Sequence, residues 1–212
     1  CQQGSIRIAG QDSTNRTPRE IIDRGVGHVP GDRLGVGLVP NLSVEDNLIL
    51  KAYRTGELVR GPFLDPKAIR RFAQKLVQSY DVATPNVEIP IKSLSGGNLQ
   101  KTILAREISG RPAVMVAVYP VRGLDIGATE AVHRLLLELR EKQSGILLIS
   151  EDLDELLSLS DRVIVLYEGE VMGEVSAEQA DIEELGLMMA GTRQQDLGQS
   201  KGTPQVDGGN AL

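Results

Sequence analysis

The chain has 212 residues, 41% of them apolar, a formal net charge of −6 and a single cysteine at position 1. That apolar share fills the core of one domain to one and a half and excludes a disordered chain. The acidic balance, with 3% aromatics and no tryptophan, argues against a basic, base-stacking nucleic-acid platform, and no run of apolar residues is long enough to span a membrane.

Residues 5–10 alternate apolar and polar side chains and predict a short strand closing at a glycine. Thr17-Pro18-Arg19-Glu20 sets Thr at the N-cap, Pro at the first helical position and Glu at the third. That is a capping box, predicting a helix to about Asp23 that stops near Gly25. Residues 26–30 form a second strand. Residues 31–40 carry Gly31, Gly35 and Gly37 and read as a mobile loop. No Gly-Lys-Ser/Thr string stands in them, so they are not a phosphate-binding P-loop.

Ser43 opens a helix running to roughly Tyr53, with Val44, Leu48 and Ile49 on one face. Asp65-Pro66 opens a longer one whose Ile69, Phe72, Leu76 and Val77 form an apolar stripe. Pro85 and Pro90 mark a linker. Residues 43–93 thus form a helical insert, and with the next helix they delimit a helical subdomain over about 43–110.

Then comes Leu94-Ser95-Gly96-Gly97-Asn98-Leu99-Gln100-Lys101. Paired glycines admit close backbone approach, and the first amides of a helix are uncovered donors at the positive end of its dipole. Two readings follow: a phosphate contact, or a serine-capped helix after a loop. Leu99, Ile103, Leu104 and Ile108 line one side of this helix, which ends near Gly110. Residues 113–118 are a continuous apolar run, fitting a parallel strand buried on both faces. A helix over about 128–142, a strand over 146–150, a helix over about 152–159, a hairpin of 162–167 with 170–175 around Glu168-Gly169, and a last helix near 182–190 complete the order. The tail from Thr192 is rich in Gln, Gly and Ser and is expected to be disordered. Alternating strands and helices give an α/β class with a mostly parallel sheet plus the small helical subdomain.

The signature string, with "GHVPGDRLGVGLVPNLSVEDNLILKAYR", "RGLDIGATEAVH" and "LLISEDLDELLSLSDRVIVLYEGE" in the same order, resembles the ATP-binding cassette (ABC) ATPases over residues 5–191. It is most similar to the second nucleotide-binding domain of the duplicated importers for simple sugars and nucleosides. The resemblance implies an incomplete P-loop NTPase of ABC type, with ATP and Mg²⁺ as cofactors. It implies another nucleotide-binding domain and membrane permease subunits as partners, peripheral placement on the cytoplasmic face of the membrane, and no nucleic-acid partner. It also implies that the chain begins just after the family's Walker A loop, as a fragment spanning residues 1–191 of the cassette. Losing about four charge-assisted hydrogen bonds to phosphate would cost roughly four or more decades of affinity, so the chain alone is expected not to bind ATP tightly and to be inactive.

Carried over position by position, the resemblance is lopsided. Gly31 stands at the Q-loop glutamine, with Asp32 beside it as a substitute of low promise. Val118 and Tyr119 replace the Walker B Asp-Glu, so neither a Mg²⁺ ligand nor a general base is present. Glu151 replaces the switch histidine, and a carboxylate about 4 Å from a phosphate repels it by roughly 4 kcal/mol per unit charge. His28 and His133 read as structural. Ser95, Gly96, Gly97 and Gln100 of the signature and Asp125 of the D-loop remain, and in the family these serve the ATP of a partner domain. The resemblance therefore implies a half-site completing another domain's ATP site. The alternative is a non-catalytic module docking on a cassette or permease through residues 31–40 and the helical insert. The short insert and acidic charge disfavour a soluble ABC ATPase of DNA repair.

Overall fold

The computed structural model of the protein describes residues 3–196. It divides into two units, up to Glu151 and from Asp152 onward.

The first unit opens on a two-strand hairpin, β1 (Arg7–Ile8) with β2 (Gln11–Asp12), where one longer strand is expected from sequence. Ala9 and Gly10 both take positive φ, 48° and 76°, so the chain reverses at the glycine instead of ending there. The helix α1 (Pro18–Asp23) carries the expected capping box of Thr17 with Glu20, and Gly25 follows at φ +79°. Then comes β3 (Val26–Val29).

The loop after β3 is pinned. One π-helical turn, Arg33–Gly37, is capped by the Asp32 carboxylate, which accepts from the Gly35 amide at 2.8 Å. Fully buried Asn47 exchanges hydrogen bonds with both the amide and the carbonyl of Val39. Asn47 lies in α2 (Val44–Ile49), which starts with a Ser43–Asp46 capping box and ends four residues before the expected Tyr53. A small hairpin, β4 (Val59–Arg60) with β5 (Phe63–Leu64), interrupts the helical insert before α3 (Pro66–Ser79). Two-residue strands carry too few side chains to show a period.

The signature string leads into α4 (Gly96–Ser109). Then β6 (Val114–Val118), α5 (Ile126–Glu141) and β7 (Gly145–Ile149) follow. The three long strands make one parallel sheet in the order β3-β6-β7, with His28 opposite Val116 and Val116 opposite Leu147. Only one face is closed. Val29, Met115 and Ala117 are 0% exposed in a core shared with Ile103, Leu104, Val132 and Leu136. On the other face Val116 and Val118 are half-buried, and Leu147 and Ile149 are 55% and 41% exposed. The expectation of a strand buried on both faces is therefore corrected: an unbroken apolar run reports two apolar faces without showing that both are covered.

The second unit holds α6 (Leu153–Leu159), the antiparallel pair β8 (Arg162–Tyr167) and β9 (Glu170–Ser176), and α7 (Ile182–Met189). Its turn at Glu168-Gly169 is as expected, both residues at positive φ. Val163, Val165, Met172, Leu185 and Met188 form its core. Of the expected tail, residues 192–196 are described: Arg193 pairs with Glu170 at 2.6 Å, and Gln194 accepts from the Glu174 amide at 3.2 Å. The rest of the tail lies outside the described residues. No helix among the described residues is long and apolar enough to cross a membrane.

Candidate functional site

Parallel strands aim their carboxyl ends at one rim, where α/β sheets usually bind ligands. The residues after β3, β6 and β7 on that rim are Gly31, Tyr119 and Glu151. A Cβ on Gly31 would stand 3.2 Å from the Tyr119 ring and 3.6 Å from the Val118 carbonyl. Tyr119 itself sits at φ +47°, and its amide donates to the Ile149 carbonyl at 2.8 Å. The Arg122 guanidinium lies over its ring at 5.7 Å. Gly31 and Tyr119 thus form one packing unit: a side chain at position 31 would press on the tyrosine ring. Glu151 is exposed, and the Asp32 carboxylate is engaged in capping its own turn.

The rim offers no metal cradle. Val118 and Tyr119 present no carboxylate at the end of β6, and no group of three His, Cys, Asp or Glu side chains gathers to hold a metal among the described residues.

The signature end is built differently. Ser95 is the N-cap residue of α4, yet its side chain does not cap. Its Oγ accepts from Asn98 Nδ2 at 2.9 Å, while Asn98 Oδ1 accepts from the Ala83 amide at 2.8 Å. The amides of Gly96, Gly97 and Asn98 consequently find no acceptor among the described residues. Three unsatisfied donors at the positive end of a fourteen-residue helix favour an anion.

The two glycines are not equivalent. A Cβ on Gly97 would meet Ala128 Cβ at 3.0 Å, so Gly97 permits the close approach of α4 to α5. A Cβ on exposed Gly96 would meet only side-chain ends, Arg33 Nη1 and Leu124 Cδ2, each at 3.9 Å. The fold of this chain gives no steric reason for that glycine. Asp125 caps α5, accepting from the Ala128 amide at 2.8 Å. Gln100 is 1% exposed, and its Oε1 accepts from Arg33 Nε at 2.8 Å, so it lies behind the surface that Gly96 exposes.

Sequence reasoning missed Arg33 and Asn98. Arg33 holds Gln100 from sixty-seven positions away, which no local motif announces, and Asn98 holds Ser95 from three positions away through a rotamer that the string does not specify. It also left unexplained a buried charge cluster: Glu107, 3% exposed, accepts from the His28 amide at 3.0 Å, from Arg106 Nε at 2.9 Å and from Lys51 Nζ. Desolvation of the His28 ring holds it below the ordinary imidazole value, partly offset by Glu107.

With this geometry in hand, the sequence pattern of the ABC transporter family matches residues 1–117. Guanosine import ATP-binding protein NupO of Bacillus subtilis is 39% identical over 199 residues, covering 94% of this chain and 39% of that protein. Glucose import ATP-binding protein TsgD13 of Haloferax volcanii is 45% identical over 190 residues, covering 89% of this chain and 34% of that protein. The chain thus spans well under half the length of these curated relatives. Among solved structures, the dimeric post-hydrolysis state of the ATP-binding cassette MJ0796 with ADP and Pi superposes with a TM-score of 0.66 at 23% identity, over 82% of this chain and 74% of that one. That likeness establishes the cassette fold, α/β with a parallel sheet.

Proposed function

The chain belongs to the ABC transporter family, and from that premise we propose that it is part of the ATPase of an importer for simple sugars or nucleosides, presenting its signature end to ATP held on another domain. The names of its relatives, guanosine import, nucleoside import and glucose import ATP-binding proteins, support the solute class. The four quoted segments support correspondence to the second cassette of duplicated importers.

The observation that carries the reading is the contrast between the two ends of the site. At the signature, the amides of Gly96, Gly97 and Asn98 are uncovered and position 96 is open. At the strand rim, Val118, Tyr119, Gly31 and Glu151 offer phosphate no cation, and no group of three metal-ligating side chains gathers among the described residues.

ATP hydrolysis by such cassettes needs electrostatic stabilisation of the transferring phosphoryl group and positioning of water. This chain's share is the positive end of α4, the Ser95 hydroxyl held in place by Asn98, and Asp125 at the start of α5. ATP and Mg²⁺ are held mainly by the partner domain. A membrane permease is the further partner, which places the chain peripherally on the cytoplasmic face of the membrane.

Equilibrium dialysis with Mg·ATP tests the reading together with size-exclusion chromatography against a Walker-A-bearing, hydrolysis-deficient ABC cassette. Weak binding to the chain alone and a complex formed only with ATP are expected. Sub-millimolar ATP binding by the chain alone would overturn the half-site. A complex that forms equally without nucleotide would favour the plain docking module instead.

A further inference from the structure

Three segments of the candidate site meet at Arg33. Its Nε donates to Gln100 Oε1 at 2.8 Å, and its Nη2 donates to the carbonyl of Arg122. One rigid guanidinium plane thereby joins the turn after β3, the second turn of α4, and the segment between β6 and α5. The third corner, Nη1, lies 3.9 Å from the place a Cβ on Gly96 would take. Lysine, a single point donor on a flexible stem, cannot make both bonds in fixed directions.

Gln100 is an unusual choice for its place. It is 1% exposed, its Nε2 is buried without an acceptor, and Arg33 is the partner of its Oε1. A buried amide with one half unpaired carries a desolvation penalty that an apolar side chain of similar size avoids. Packing alone does not select glutamine there; the bond to Arg33 does.

We propose that Gln100 and Arg33 form a positioning strut that couples the loop after β3 to the signature end of α4. When the Arg33–Gly37 turn shifts, the uncovered amides of Gly96, Gly97 and Asn98 shift with it. The strut takes its purpose from the half-site reading above, on which it rests. Its geometry stands apart from that reading.

The test uses the full chain and three variants: Gln100→Leu, Gln100→Glu and Arg33→Lys. Amide hydrogen exchange is followed at residues 33–37 and 96–100, beside the thermal midpoint and the ATP-dependent association with a Walker-A-bearing cassette. Gln100→Leu is expected to keep or raise the midpoint, since it removes an unpaired buried amide. Yet exchange at residues 33–37 quickens by about tenfold, the size of one lost charge-assisted bond, and association weakens similarly. Arg33→Lys behaves alike, and Gln100→Glu, which still accepts from the guanidinium, restores wild-type exchange. A large fall in the midpoint of Gln100→Leu, or its failure to fold, would show Gln100 to be core support and overturn the strut. So would unchanged exchange in both Gln100→Leu and Arg33→Lys. If the wild-type chain associates with no cassette, the half-site reading fails by itself, and the exchange contrast still decides the strut.

Discussion

Substituting each signature glycine by alanine separates what the fold requires from what an outside ligand requires. At Gly97 the new methyl would stand 3.0 Å from Ala128 Cβ, against a comfortable carbon–carbon separation of about 3.5–4.0 Å. Either α4 or α5 must move by several tenths of an ångström, an overpacking cost of about 1–3 kcal/mol. Replacing a helical glycine returns at most about 0.5–1 kcal/mol. Gly97→Ala should therefore destabilise by up to about 2 kcal/mol, which in a chain of this size lowers the melting midpoint by roughly 4–8 °C. At Gly96 the nearest atoms are side-chain ends 3.9 Å away and the residue does not take positive φ. Gly96→Ala should leave the midpoint unchanged or raise it by a degree or two, while weakening ATP-dependent association with a partner cassette by tenfold or more, because the methyl stands where a phosphate would approach. Differential scanning fluorimetry and chromatography with ATP read the two effects. A Gly96→Ala variant that melts several degrees lower, or that associates like wild type, would refute the assignment of Gly96 to an outside contact.

Glu107→Ala would leave Arg106, Lys51 and the His28 amide without their shared acceptor, at a cost of about 3 kcal/mol or more that chemical denaturation would register. The depressed His28 value fixes a pH direction: the folded state takes up its proton less readily than the unfolded one, so the stabilisation is complete above the unfolded value near 6.5 and is lost as pH falls through the lower folded value. Denaturation midpoints should drop on acidification from pH 7 through 6, and His28→Gln should flatten that slope. The open sheet face, with Leu147 and Ile149 at 55% and 41% exposure, should drive self-association of the isolated chain. Sedimentation velocity should show it relieved by threonine at both positions, which keeps strand propensity.

Local chemistry made part of the fold legible. The capping boxes at Thr17 and Ser43, the proline at the start of α3, the Glu168-Gly169 turn and the 3.6-residue stripes each declare themselves within a few residues. The hairpins at Arg7–Asp12 and Val59–Leu64 did not, being shorter than any period they could display. The signature could be found in sequence, but its state could not: whether Ser95 caps α4 or turns to Asn98 is a rotamer choice. The pairing of Gly31 with Tyr119, eighty-eight positions apart, is visible only where the parallel strands bring their ends together. Arg33 belongs to the same class, its partners Gln100 and Arg122 being distant in sequence.

The amides at the start of α4 are proposed to serve a nucleotide held on another domain. Backbone NMR of the labelled chain, following Gly96, Gly97 and Asn98, tests it most directly. Mg·ATP alone in the millimolar range should leave these three signals in place, while Mg·ATP with a Walker-A-bearing, hydrolysis-deficient cassette should shift them, and the cassette without nucleotide should not. Shifts of the same signals by sub-millimolar Mg·ATP with no partner present would contradict the account.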